Sequence, residues 1–476
     1  MKGPAPHEDR GFDPEPSVRR AARALYEETR GLPIISPHGH VDPRLLAENE
    51  PFSDPATLIV TPDHYILRML YAHGISLESL GVATREDAVV ETDPRAIWQR
   101  FAERYHLFLA TPTGAWLDHE LYAVFGVRER LDGDTAGRVY DVIAEQLAAP
   151  EFLPRALFDR FGIEVLATTD KAGDGLEHHR AIRQSGWKGR VIPTFRPDAV
   201  FQIAAPGWRA ELDAFARACS GSLGTCEEFI HALEQRRMFF QELGARATDH
   251  GVLEPFTEQL TPDEAERLFQ RARNGTATAV DQRRFEGHLL MEMARLSIAD
   301  GLVMQLHAGA LRDHNRVLFD RFGPDKGGDI PIATEFTHNL RPLLNAYGND
   351  PRFTLVLFTL DESTYSRELA PLAGHYPAVR LGAPWWFHDS LHGMMRFRER
   401  TTETAGIHKT AGFTDDTRAF CSIPARHDLA RRMDANFLAG LVARHVIGMD
   451  DARRMARALA YDLAKETYKL AAGTAS

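Results

Sequence analysis

Apolar positions recur along the chain with two different periods, and the switch between them is the first structural signal. Val18, Ala21, Ala22, Leu25 and Tyr26 follow the i, i+3, i+4 spacing of an amphipathic helix. Ser17 is placed to cap it, and Gly31 and Pro33 stop it. Ile34 and Ile35 then form a short strand. From about 50 to 160 the pattern is mainly helical, with breaks at Pro and Gly, as in TPDHYILRMLYAHG and DPRAIWQRFAERYHLF. After 160, short strand-like runs alternate with helical ones. The clearest are VLATTD (165–170), VIPTFRP (191–197), ARATDH (245–250), VMQLHAG (303–309), FTLVLFTL (353–360) and VRLGAPWWF (379–387). Between them, TPDEAERLFQRARNG (261–275) is a helix with a capping box, Thr261 and Glu264.

Strand–helix alternation over this length points to an α/β fold, a (β/α)8 barrel of the TIM type, with a helical insertion after the first strand. With the first strand the runs give seven staves. DIPIAT (329–334) and TRAFCS (417–422) are the candidates for the eighth. The chain then divides into 1–48 (N-terminal helix and first strand), 49–160 (helical insertion) and 161–476 (the rest of the barrel).

Composition narrows the partners. The 476 residues are 44% hydrophobic and 26% charged, ordinary for a globular protein. A net charge of −11 argues against nucleic acid and against an anionic membrane surface. An anionic substrate would need a local cluster of Arg or Lys. Three cysteines (Cys219, Cys226 and Cys421) make no disulfide framework and fit a reducing compartment. The polar N-terminus shows no signal peptide and the apolar runs are too short to span a bilayer, so a cytoplasmic protein is expected.

The polar residues that interrupt the apolar runs fall at strand ends. These are Asp170, Arg196, Asp249 with His250, His307 and Asp389. In a (β/α)8 barrel, catalysis sits at the C-terminal ends of the strands. The stretch ISPHGHVDP adds His38 and His40. Residues i and i+2 of a strand share a side, so both rings can project into the barrel mouth and share one cation. Turn or capping histidines are the plainer reading of HxH alone. A third ligand from a distant strand end is then expected, and Asp389 is the best-placed carboxylate. Trp385, Trp386 and Phe387 read first as packing residues, Arg196 as a surface arginine or an anion site, and His307 as a ligand-site residue or a buried hydrogen-bonded imidazole. GPDKGGD (323–329) lacks P-loop spacing and reads as a flexible glycine turn.

Together, SPHGHVDP, PDHYILRML, TTDKAGDGLEHHRAI, VIPTFRPD, RATDHG, MQLHAGALRDHN, GPDKGGD, GAPWWFHDSLHGM and FTDDTRAF resemble the uronate (glucuronate) isomerase family of the amidohydrolase superfamily, in order over about residues 20 to 470. The resemblance implies a distorted (β/α)8 barrel. It also implies interconversion of D-glucuronate with D-fructuronate and of D-galacturonate with D-tagaturonate. One divalent metal, commonly zinc, is implied on His38, His40 and Asp389. His388 stands where the family more often has Asn. Moving a proton between C2 and C1 needs an acid–base group, for which Asp389, His64, Tyr65 and His307 are candidates. The substrate carboxylate needs a cation, for which Arg196 and then Arg418 are candidates. The implied partner is a small sugar acid, and a homo-oligomer is left open. The alternative activity is a mononuclear metal-dependent hydrolase on the same barrel, and a third reading is a non-catalytic sugar-acid binding protein.

Overall fold

Strand β1, Ile34–Ser36, is fixed by two β-branched residues that face opposite ways, Ile35 into a barrel and Ile34 out of it. A computed structural model describes residues 6–470 other than 87, 220 and 222. The outermost parts of the first and last expected segments, 1–5 and 471–476, lie outside the described residues.

Each further stave pairs in parallel with the one before. β1 lies beside β2 (Ile163–Ala167, resuming at Asp170–Lys171), with Ile35 opposite Val165. β2 lies beside β3 (Val191–Ile192, resuming at Phe195–Arg196 after Pro193 breaks the ladder). β4 (Ala247–Val252), β5 (Val303–Ala308), β6 (Leu355–Thr359) and β7 (Val379–Leu381) follow in order. Neither expected candidate is the eighth stave. Ile330–Pro331 pairs antiparallel with Ala310–Leu311, and Phe420–Ser422 is a 3-10 turn. The eighth position belongs to the segment around Thr410, which bridges Leu381 in parallel. The ring closes where the amide of His40 donates to the carbonyl of Thr417 at 2.9 Å.

The period-2 pattern sorts the strands' side chains into two cores. Val165, Ala167, Ile192, Val303 and Val356 fill the barrel. Their neighbours Leu166, Met304, Leu306 and Leu355 face outward onto helices. Between β1 and β2 every named element is helical. This segment has an apolar centre around Trp98, Phe101 and Phe108, and that cluster runs on into the outward face of β1 and β2 through Ile34 and Leu166. Burying each such side chain contributes about 1.5–3 kcal/mol. Docking therefore fixes where the insertion's helices point.

Three helices matter for the site. α1, Pro16–Thr29, is capped by Glu15, whose side chain accepts from the Val18 amide, and not by Ser17. Pro16 occupies the first turn, so the cap falls one residue before it. α2, His64–Ala72, is capped by Asp63. α3, Ile423–Ala443, follows the eighth stave and packs along α1. The expected capping box of Thr261 and Glu264 is formed. No helix of the described residues is long and apolar enough to cross a membrane.

Candidate active site

His38 and His40 stand two and four residues beyond the end of β1. Their rings are 5.2 Å apart and nearly perpendicular. Both turn Nε2 toward one oxygen, Oδ1 of Asp416, at 3.4 Å from His38 and 3.1 Å from His40. Asp416 comes from the eighth stave and holds φ at 43°, a left-handed conformation that Asp tolerates better than most residues. His307, on β5, stacks on His38 at 4.7 Å. Its Nδ1 meets Asp249 of β4 at 2.7 Å, and its Nε2 is buried with no partner. One ligand atom each from His38, His307 and Asp416 lies within 4.8 Å of the others.

This donor set fits a divalent cation. Imidazole nitrogens and a carboxylate suit zinc. A ring whose far nitrogen is tied to a carboxylate while its near nitrogen is free has the usual arrangement of a ligating His. Burial alone would raise the Asp416 and Asp249 carboxyls. Beside His38 and His40 the first is instead held well below the usual carboxylate range, and beside His307 and Arg196 so is the second.

The carboxylate expected as third ligand, Asp389, is not in that group. It lies eight positions beyond Leu381, the last residue of β7, across a turn in which Phe387 has φ of 72°. Its Oδ2 accepts from the Tyr65 hydroxyl at 2.8 Å and from Arg426 at 3.2 Å, while its Oδ1 is buried without a partner. Burial, and then the Asp389 charge, push the Tyr65 phenol well above its ordinary value, so it donates as a neutral group. Arg426, from α3, lies over Trp116 at 3.7 Å and also reaches the Asp415 carbonyl at 3.3 Å. The insertion thus delivers Tyr65 to Asp389, with His64 beside it at 5.0 Å between ring centres. His64 is half-buried with its Nδ1 buried and unpartnered, and desolvation together with Arg418 and Arg426 holds its pKa well below the ordinary imidazole range.

The two expected anion-binding arginines are placed differently. The Nε of Arg196 is 2.7 Å from Asp198, and its Nη1 is 3.3 Å from Asp249, so two carboxylates already hold it. Among the described residues the one ion pair of Arg418 is with Asp325, loose at 3.7 Å, and its Nε is buried without a partner. His388 turns away and sets Nε2 against the Leu360 carbonyl at 2.9 Å. His250 faces the helices, stacked on Phe201. A cavity of about 620 Å³ lies elsewhere, between the insertion and the N-terminal segment around Arg10 and His119. The chemistry argues for the barrel mouth, where the unpartnered Nε2 of His307, Oδ1 of Asp389 and Nδ1 of His64 lie.

Sequence reasoning missed two residues, Asp416 and Arg426. The first lies inside FTDDTRAF, two positions before Arg418. The second carries no pattern signal, being one of several charges on its helix.

A family model described as glucuronate isomerase matches residues 17–468. A uronate isomerase of Nostoc punctiforme is 54% identical over 470 residues, covering 98% of this chain and 99% of the relative. The crystal structure of glucuronate isomerase from Caulobacter crescentus matches with a TM-score of 0.96 at 49% identity, covering 98% of this chain and 97% of that one. That of uronate isomerase from Thermotoga maritima matches at 0.90 and 28% identity, covering 97% and 99%.

Proposed function

The chain belongs to the glucuronate isomerase family and isomerises hexuronates, and we propose that it does so at one divalent metal, zinc, held by His38, His40, His307 and Asp416. The substrates are D-glucuronate and D-galacturonate, each converted to its 2-ketose. The observation that carries the metal reading is the convergence of two imidazoles on one Asp416 oxygen, beside the free Nε2 of His307.

When bound, the metal supplies Lewis acidity to the substrate oxygens as C2 loses its proton. The remaining work falls to the chain's own side chains. Asp389 is the base: Tyr65 and Arg426 both engage Oδ2, which leaves Oδ1 free to take the C2 proton and return it to C1. His64, neutral and with Nδ1 free, carries the hydroxyl proton from O2 to O1, so that protons balance with no net redox change. Arg418 receives the C6 carboxylate, and Arg196 is a strut that holds Asp249 against His307.

The hydrolase alternative is not favoured, because the matching family and the relatives above carry isomerase names. We place the enzyme in the cytoplasm, a reading supported by three cysteines that are all unpaired. The test is to incubate the protein with D-glucuronate, with and without a chelator, and assay for ketose. Ketose that forms, stops with chelation and returns with zinc is the expected result. Undiminished turnover in a protein shown to be free of metal would overturn the metal reading.

A further inference from the structure

The turn 323–329, GPDKGGD, has no place in the chemistry above, yet it lies against the site. Asp329 anchors its end by pairing with Arg312 at 2.5 Å. Gly327, at φ +79°, presses on the start of α2. A β-carbon there would stand 2.7 Å from the His64 carbonyl oxygen and 2.7 Å from Cβ of Arg68, so this close approach requires glycine. Two residues earlier, Asp325 faces Arg418 at 3.7 Å. Lys326 is therefore held between a residue that touches Arg418 and one that touches His64. It is half-buried. Its ammonium donates to the Pro324 carbonyl at 3.1 Å, which uses one of three protons. Among the described residues it forms no ion pair, because the Asp325 carboxylate faces Arg418 instead. Burial lowers the Lys326 amine from its ordinary value, with the Arg418 charge pushing the same way against the Asp325 and Asp313 carboxylates.

We propose that Lys326 is the second cation for the substrate's C6 carboxylate, and that Asp325 is a placeholder on Arg418 which that carboxylate displaces. The proposal rests on the reading of Arg418 as the carboxylate receptor. Arg418 offers a planar fork, while Lys326 offers a compact charge on a flexible stem that adapts to the other oxygen. The Asp325 side chain is 55% exposed, so it returns to water at little cost once it is displaced. Substitutions at neighbouring positions should then act in opposite directions. Removing Lys326 weakens acid binding, and neutralising Asp325 strengthens it.

The probes are L-gulonate, which keeps the carboxylate but lacks the aldehyde and cannot isomerise, and its neutral counterpart D-glucitol. Their inhibition constants against D-glucuronate are to be measured on metal-loaded protein, with metal content checked for each variant. Lys326→Met should raise the constant for gulonate about tenfold, one charged contact's worth, and leave that for glucitol within twofold. Lys326→Arg should restore most of the loss, and Asp325→Asn should lower the gulonate constant about threefold. An unchanged gulonate constant in Lys326→Met, or a weaker one in Asp325→Asn, would overturn the proposal. Arg418→Met separates the two layers. If it loses acid binding while Lys326→Met keeps it, only the present inference falls. If neither variant changes the ratio of gulonate to glucitol, the Arg418 reading falls as well.

Discussion

The two ends of the site are built in different ways. At the proposed metal end four staves contribute: His38 and His40 after β1, Asp249 on β4, His307 on β5 and Asp416 beyond the eighth. These groups bind one another, and Asp249, His38 and His307 are almost wholly buried. At the carboxylate end Arg418, Lys326 and His64 come from turns and from the insertion, and Arg418 keeps 30% of its side chain exposed. Ladder hydrogen bonds on both sides fix the strands that carry Asp249 and His307, and the two imidazoles hold Asp416 beyond the single bridge at Thr410, whereas the turn 323–329 can yield when an anion arrives. On the proposed roles, geometry-critical chemistry sits on the rigid part, and recognition of the charged end on the part that can adjust.

Breaking the metal end should have the largest effect. Asp416→Asn should lose most bound metal and reduce kcat by at least about a thousandfold, because the carboxylate shared by both imidazoles is gone. Asp389→Asn should keep its metal and still lose about a hundredfold or more in kcat, the usual contribution of a positioned general base. Metal analysis of the two purified variants decides the matter. If the metal leaves with Asp389 and stays with Asp416→Asn, the roles given to these two carboxylates are exchanged.

A smaller effect is expected at the carboxylate end, and it separates the two arginines. Arg418→Met should lower kcat/KM for uronates about ten- to a hundredfold, with metal content unchanged. A charged hydrogen bond contributes about 1.5–3 kcal/mol, and about 1.4 kcal/mol is one decade. Arg196→Lys should keep the preference for an acid over a neutral sugar, because the guanidinium already serves Asp198 and Asp249. Its cost should appear as a lower melting temperature, since a point charge cannot satisfy both carboxylates in the same geometry. Steady-state kinetics on both variants, together with calorimetric melting, test this. An Arg196→Lys protein that loses acid preference while Arg418→Met keeps it would return the clamp to Arg196.

How much of this could be read from the chain depends on how each residue is held. Seven staves were visible because alternating apolar residues face two cores, as Leu166 and Ala167 do. HxH was visible because it follows β1 directly. The eighth stave was not, since TAGFTDDT makes one bridging pair and has no alternation for a period to reveal. With the stave lost, Asp416 lost its address, although Arg418 two residues on was picked out for its charge. Asp389 lies apart from the expected group for the complementary reason. WWFHD follows β7 in sequence, but the ladder ends at Leu381, and the turn that follows is free to carry its carboxylate to Tyr65 instead. Arg196 was located correctly at a strand end, but a sequence does not show that Asp198 and Asp249 engage it.

The smallest effect is expected beneath α2, where the insertion supports His64 and Tyr65. Glu120 is buried there, 5% exposed. Burial, and then the nearby Asp63 carboxyl, push it up to about 8, against the opposing charge of Arg426. Asp63, which caps α2, is likewise raised by burial. A carboxyl whose folded pKa lies above its unfolded value favours the fold when protonated. That stability is fully present below the ordinary glutamate range and declines as pH rises through about 8. Glu120→Gln keeps the shape and removes the titration. The variant and the wild type should therefore melt within about a degree of each other near pH 5, and the variant should gain a few degrees by about pH 9, levelling off above that. The metal end offers no such rise, because Asp416 and Asp249 are depressed and stay ionised throughout this window. A melting difference that is flat between about pH 5 and 9 would mean that Glu120 is ionised in the folded protein, and the floor under α2 would then be charged like the metal end.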